Sequence, residues 1–451
     1  MNDKTLWETI ELYDFDNPIS EYGFFTRLQN ENLWTTHFTE AAILEYKKFM
    51  YLAASTDLMV SPSEIIDLVW HQHLIFSTSY HHFCVILGKR IEHIPSTHNH
   101  NDFEKFLQAK ERTSRAYVKI FGPQPEAIWA YPNMYAPLHL PKYQYHTFKL
   151  IYGSLLAIIL FLIITYALIQ VYPKINNPAF IIGYIILILT TGITLEIYNR
   201  KRFSTLLKSW PDNAFIFNLS PFELIYSSYE NLSHVVHGVI SHLIEEHVIL
   251  ISPDQKLSLN KEWNAKNVKE FIVIATLEAE GPVGYEKLLY ILVLKPGFNA
   301  TARVITSFNK YFRKSAYFVR QYMFNALILS SVLFLGLMRF ATGIAKDKPI
   351  MLLIIIMIAY LIFMVYYLIR VKKMFPLKTL PEFYKNNTSS LQIDAGRWDW
   401  DYFLMGTAAL APVLIPLVQK QRENSADSGG CSTPGDGGSC GSSGCGGCGG
   451  D

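Results

Sequence analysis

The run IYGSLLAIILFLIITYALIQV, Ile151 to Val171, decides how this chain folds: only Thr165, Gln170 and a few small or tyrosyl residues interrupt its Leu, Ile and Ala. Crossing about 30 Å of hydrocarbon as a helix takes roughly 20 such residues, so the run is long enough to span a bilayer. Working outward, PAFIIGYIILILTTGITLEIY, Pro178 to Tyr198, follows after the short linker Tyr172 to Asn177, and the two make a hairpin. A second hairpin is predicted from Tyr322 to about Gly343 and from Pro349 to Ile369, joined by Ile344 to Lys348. Tyr143, Tyr145, Tyr172, Tyr198, Tyr322, Tyr366 and Tyr367 fall where an interfacial aromatic belt is expected.

Composition agrees with this segregation. Of 451 residues 50% are apolar and 17% charged, and the apolar excess sits in the long runs. Residues 1–148 and 199–320 read as ordinary water-soluble sequence, each long enough to bury a core. The formal net charge of +2 selects no partner. The start, MNDKTLWE, has neither a basic n-region nor an apolar h-region, so membrane insertion is expected from the internal spans rather than from a cleaved signal.

Basic residues set the expected orientation. Arg200, Lys201 and Arg202 follow the second run, Arg313, Lys314 and Arg320 precede the third, and Arg370, Lys372 and Lys373 follow the fourth. All belong on one side, which places the N-terminal block, the middle block and the stretch after Lys373 in the cytoplasm. Arg339, near the outer end of the third run, is expected to snorkel to the headgroups. The predicted fold is mainly α: a helical N-terminal domain (1–148), a transmembrane hairpin (149–198), a small winged-helix-like α+β middle domain (199–320), a second hairpin (321–372) and a linker (373–401). Residues 402–418, with Pro412 and Pro416, read as a marginal fifth span, a re-entrant segment or an interfacial helix, and 419–451 as a disordered Gly/Cys-rich tail.

Within the N-terminal block, Ser61, Pro62 and Glu64 form a helix start with Ser61 as the expected cap. On the helix that follows, Asp67 and His71 are four residues apart and share a face, whereas His73 lies about 200° round from His71 and cannot bind the same ion. Tyr80, His81, His82, Cys84, Gly88 and His93 come next. Asp67, His71, His73, Cys84 and His93 are the candidate metal ligands, with donor types suited to zinc; packing and acid–base or thiol chemistry are the competing readings. No nucleophile elbow or phosphate-cradling glycine loop is present in the sequence, so no catalytic residue is assigned.

The middle block has a second capping box, Ser220, Pro221 and Glu223, leading to helices over 221–229 and 233–246, a hairpin over 248–259, and helices over 267–279, 283–293 and 300–320. His234, His237, His242, Glu245 and Glu246 on the second helix lack the Arg and Lys that phosphate contacts need, so a nucleic-acid partner is not expected. His234, His237 and His242 are open to three readings: metal ligands, a pH-sensitive face and, as the leading expectation, a mostly solvated helix surface. In the tail, Cys431, Cys440, Cys445 and Cys448 are open to three readings: a free flexible tail, thiolate binding of zinc or copper(I), and disulfide or covalent chemistry.

The run Asp67-Leu68-Val69-Trp70-His71-Gln72-His73-Leu74, with Tyr80, Cys84, Gly88 and His93 behind it, resembles the signature of the glycine-rich domain-containing protein family, and a looser likeness extends from Trp34 to Trp129 through Tyr117, Phe121 and Gly122. The resemblance implies a helical domain, linked in plants to development and stress responses, and supplies no reaction. Residues 150–451 are similar in architecture to bacterial membrane proteins with a Gly/Cys-rich end, which implies a bacterial inner membrane. The leading expectation is a non-enzymatic membrane scaffold or sensor, with membrane lipid and other proteins as partners. The alternatives are a metal-binding or metal-dependent membrane enzyme and a transporter component, the last disfavoured because no acidic residue sits at mid-membrane in the runs.

Overall fold

A computed structural model describes residues 4–94, 100–145, 147–346, 348–388, 391 and 396–427. The N-terminal block is built from α1 (Lys4–Leu12), α2 (Phe24–Asn32), α3 (Thr36–Ala54), α4 (Glu64–Ile75), α5 (Ser77–Leu87), α6 (His100–Phe121) and α7 (Glu126–Trp129). Helix α3 is its axis: Tyr46, Phe49 and Met50 are fully buried, and Glu45, 3% exposed, accepts from the Tyr117 hydroxyl and the Trp129 indole, each at 2.7 Å. The cap of α4 is Ser63, whose hydroxyl accepts from the Ile66 amide, rather than Ser61. The Ser61 amide instead bonds the Thr113 hydroxyl of α6 at 2.8 Å, which holds the chain extended for two more residues.

Helices α8 (Thr147–Val171) and α9 (Asn177–Lys208) form the first long hairpin. The middle block follows with α10 (Pro221–Tyr229), α11 (Leu232–Glu245), β1 (Ile249–Ile251), β2 (Lys256–Leu259), α12 (Val268–Glu280), β3 (Val283–Gly284), α13 (Tyr285–Leu294) and α14 (Pro296–Lys314). The strands make an antiparallel sheet in the order β1-β2-β3, so the expected hairpin gains a third strand from beyond α12. The capping box at Ser220 and Glu223 is complete. Helix α11, expected on a solvated face, is instead central: its residues Val235 to Ile244 are all buried, and His242 stacks on Trp398 with ring centroids 4.3 Å apart.

Helices α15 (Ala316–Ile344) and α16 (Met351–Met374) form the second long hairpin, and α16 runs through a π turn at Phe375–Thr379 into α17 (Leu380–Asn386). The chain ends its described part with α18 (Trp398–Met405) and α19 (Ile415–Asp427). The helix expected to run unbroken to Arg320 stops at Ser315, which caps α15 by accepting from the Phe318 amide at 3.2 Å. At that break Pro141 O accepts from the Ala316 amide and Lys314 O accepts from the Tyr143 amide, so the strand leading into α8 is pinned to the joint.

Among the described residues four helices are long and apolar enough to cross a membrane: 152–174, 177–208, 316–344 and 351–386. The pair α13 and α14, bent by 60° at Lys295, also passes by composition if counted as one, but Leu288, Phe298 and Phe308 are buried in the soluble core. Helix α15 is the hub of the bundle. Three carbonyls spaced every third residue along it, Leu329, Val332 and Leu335, accept from the hydroxyls of Tyr360, Tyr184 and Tyr172 at 2.8, 3.1 and 3.0 Å. Gly336 permits this approach, because a Cβ there would lie 2.5 Å from the Tyr184 hydroxyl. Nearer the soluble side, Asn199, Gln321, Asn325 and Tyr367 form a buried network in which Asn199 bonds the other three side chains.

Two expectations about the spans change. Tyr172 and Tyr367 are each 4% exposed and packed inside the bundle, not in an interfacial belt. Arg339 is also 4% exposed and does not snorkel. It donates to Tyr172 O, to Ile175 O at 2.9 Å and to Asn177 Oδ1 at 2.7 Å, so its guanidinium satisfies the carbonyls of the first connector.

The soluble parts are continuous in space. Phe203 and Leu207 of α9, Phe318 of α15 and Phe375 after α16 join one buried cluster with Tyr46 and Phe49 of the N-terminal block and Val236 and Ile240 of α11. Glu223 fastens the two blocks, since its Oε1 accepts from the Thr36 amide at the start of α3 and its Oε2 from the Ser220 amide, both at 2.8 Å. Lys295 pairs with Glu21 at 2.9 Å across the same seam. The stretch read as a linker, 373–401, contributes buried Phe375, Leu380 and Tyr384 to this core. The stretch 402–418 is not one apolar helix: α18 ends at Gly406, a 3-10 turn follows, and Leu410, Ala411, Leu414, Leu417 and Val418 are buried in the same cluster. Its apolar residues cover α11, where Tyr402 packs against Gly238 and Ala411 N donates to Ser241 Oγ at 2.7 Å. The expected disordered tail, 428–451, with Cys431, Cys440, Cys445 and Cys448, lies outside the described residues.

Candidate functional site

Helix α4 carries the histidines, and its two faces differ. On the outer face the i, i+4 pair Asp67 and His71 lies 3.9 Å apart between Oδ2 and Nε2. His93 reaches them from the segment after α5. That helix closes on Gly88 with φ at +67°, a left-handed position that glycine adopts without a Cβ penalty, and the chain turns back along α4. Tyr80 holds the returning segment by donating to Ile91 O while accepting from the Trp70 indole at 3.2 Å. Trp70 then meets the His93 ring edge-on, with centroids 4.6 Å apart. The result is a 2.9 Å contact between His93 Nε2 and Asp67 Oδ1, with the His71 and His93 rings 4.5 Å apart.

Asp67, His71 and His93 each present one ligand atom, and these atoms lie within 4.8 Å of one another. Tetrahedral zinc with bonds near 2.0–2.1 Å sets its ligand atoms about 3.3 Å apart, so small side-chain rotations bring the trio to coordination distance. The His71 side chain is 53% exposed and that of His93 is 16% exposed, so one ligand is free to move and another is fixed. Two cavities flank the trio, of about 720 Å³ beside Tyr80, Cys84 and His93 and about 360 Å³ beside Asp67, Trp70 and Phe106.

The inner face of α4 has another chemistry. His73 is fully buried, with Nδ1 2.9 Å from the Tyr46 hydroxyl and Nε2 3.2 Å from Ser79 Oγ. Phe15, Phe24, Tyr80 and Phe83 surround its ring. Burial without a carboxylate partner pushes its pKa down from 6.5 to about 3, so the ring is neutral at physiological pH. The same burial pushes the Tyr46 hydroxyl well above its ordinary value. Cys84 is 6% exposed and a free thiol, and it does not join the Asp67, His71 and His93 group. The structure therefore brings together three of the five N-terminal candidates and leaves His73 and Cys84 to packing.

Two carboxylates carry much of the architecture, Glu45 with no signal of this role in the sequence and Glu223 with half of one. Glu45 gathers Tyr117 and Trp129, and Glu223 caps helices from two blocks. Burial raises the Glu223 pKa, against the lowering effect of the Thr36 and Ser220 amides. Only the capping box at Ser220 pointed toward Glu223, and it does so for one of its two helices.

No curated protein and no solved structure matches the chain. Asp67, His71 and His73 fall inside the segment that a protein-family model recognises, and Cys84 and His93 fall after it. The N-terminal block is thus similar to the glycine-rich domain-containing protein-like family, whose model matches residues 13–82.

Proposed function

We propose that this protein is a multi-pass membrane scaffold or sensor that presents one soluble body at the cytoplasmic face of a cell membrane, a bacterial inner membrane by its architecture, with Asp67, His71 and His93 as the place where that body takes up zinc. The observation that carries this reading is the shared core: the soluble ends of α9, α15 and α16 continue into the cluster that also holds α3 and α11. A body fixed in this way keeps a constant orientation to the bilayer, which suits docking of a protein partner. The Arg and Lys residues beside the same helix ends support a cytoplasmic side.

A second reading is a zinc-dependent enzyme. It is favoured by the cavity of about 720 Å³ next to His93, because a three-ligand site leaves a coordination position open for water or substrate. A transporter finds less support, since the charged group buried among the spans, Arg339, is engaged by connector carbonyls.

Elemental analysis and zinc titration of the full chain in detergent test the site. One equivalent more of zinc is expected for the unaltered protein than for the variant Asp67→Ala, His71→Ala, His93→Ala, which keeps the tail cysteines; equal uptake by the two removes the site. A cysteine introduced at exposed Leu58 or Tyr290, in a chain whose own five cysteines are replaced by serine, tests the orientation. It should resist impermeant maleimide until cells are lysed, and labelling of intact cells would reverse the assignment.

A further inference from the structure

A cavity of about 540 Å³ lies where the soluble body meets the bundle. Its floor comes from α9 and α15 just beyond the apolar runs, with Arg202 on one helix and Arg320 on the other, and the loop before α8 adds His139. No carboxylate lines it, and among the described residues neither arginine has an acidic partner. Arg202 lies over the Tyr317 ring at 5.4 Å, and the Tyr317 hydroxyl donates to Arg202 O at 2.9 Å, which fixes the backbone beneath that cation. Trp210 lines the same cavity, is 6% exposed, and its indole N–H has no acceptor among the described residues.

The opposite rim is apolar. Tyr198 and Phe324, with ring centroids 5.2 Å apart, border the cavity on the bilayer side, each about one helical turn from Arg202 or Arg320 toward the middle of a membrane-length helix. The cavity is therefore amphipathic along the membrane normal, with cations toward the soluble body and aromatic rings toward the hydrocarbon. A free inorganic anion would use only the first half.

We infer that this cavity binds the phosphate headgroup of an anionic phospholipid, with Arg202 and Arg320 on the phosphate and the first acyl methylenes against Tyr198 and Phe324. The two arginines lie on helices from different hairpins, so a bound headgroup bridges the hairpins at the face where the soluble body docks. This site is independent of the zinc site.

The full chain is reconstituted in nanodiscs of phosphatidylcholine with phosphatidylglycerol, extracted in mild detergent, and its retained lipid counted by native mass spectrometry. Retention of one phosphatidylglycerol is expected, lowered about tenfold in the variant Arg202→Ala, Arg320→Ala. The variant Lys201→Ala, Lys208→Ala removes the same charge from exposed positions outside the cavity and should keep the lipid. The single variants Arg202→Ala and Arg320→Ala, each at an exposed position, should each lower retention several-fold, which preserves the test if the double arginine variant misfolds. Equal retention in all these proteins, or none in the unaltered chain, overturns the proposal. So does displacement of the lipid by millimolar inorganic phosphate, which would mark a site for a free anion.

Discussion

His71 and His73 sit two residues apart on one helix, and their surroundings give them opposite chemistry. His71 faces water beside Asp67 and near His93, so its hydrogen bonds can be exchanged for other partners. His73 faces Tyr46, Ser79 and a ring of aromatic side chains, so its charge is suppressed and both nitrogens are committed. The difference shows that imidazole type and spacing say little about role until the face of the helix is known. Solvation on one side makes a ligand; desolvation on the other makes a core residue that needs hydrogen-bond partners.

The contrast is broken most directly at His73. His73→Ala should lower stability by roughly 2–4 kcal/mol, read as a fall in the melting temperature of the full chain in detergent, because it opens a cavity and strips the Tyr46 and Ser79 hydroxyls of a partner. Zinc uptake should survive it; loss of zinc with an unchanged melting temperature would invert the assignment of the two faces. His71→Ala should do the reverse, weakening zinc binding by more than about a hundredfold, the upper loss for an outer-shell partner, because it removes a ligand, while leaving stability within about 0.5 kcal/mol.

The smallest expected effect sharpens the comparison through pH. The His73 pKa is held near 3 in the folded chain against 6.5 for a free imidazole, so the unfolded state binds the extra proton between those values. Stability from this group is full above pH 6.5 and is lost as pH falls toward 3. Acidifying from pH 6.5 to 5.5 should cost about 1 kcal/mol through His73 alone. His73→Gln should flatten that part of the profile, and an unchanged slope would mean that another group carries it.

Much of the fold was legible because it follows from local rules. The apolar runs gave the membrane-length helices, the Ser-Pro-x-Glu start at Ser220 gave α10, and the four-residue spacing of Asp67 and His71 gave one side of the cluster. The same rules misplaced the α4 cap by two residues, since Ser61 is engaged by Thr113 from a helix some fifty positions away in the chain. They also took His234, His237 and His242 of α11 for a solvated face and residues 402–418 for a membrane segment. These two stretches are apolar for a shared reason: they pack on each other.

What the sequence determined by itself is which segments are helical and which are long and apolar enough for a bilayer, because helix periodicity, capping and hydrophobic length are encoded within a few turns of chain. Tertiary structure alone decided that the N-terminal block, the middle block and the stretch after α16 share one core, that Arg339 is an internal anchor, and that His93 rather than His73 or Cys84 completes a cluster with Asp67 and His71. Those outcomes depend on contacts between residues far apart in the chain, and no local pattern contains the identity of a distant partner.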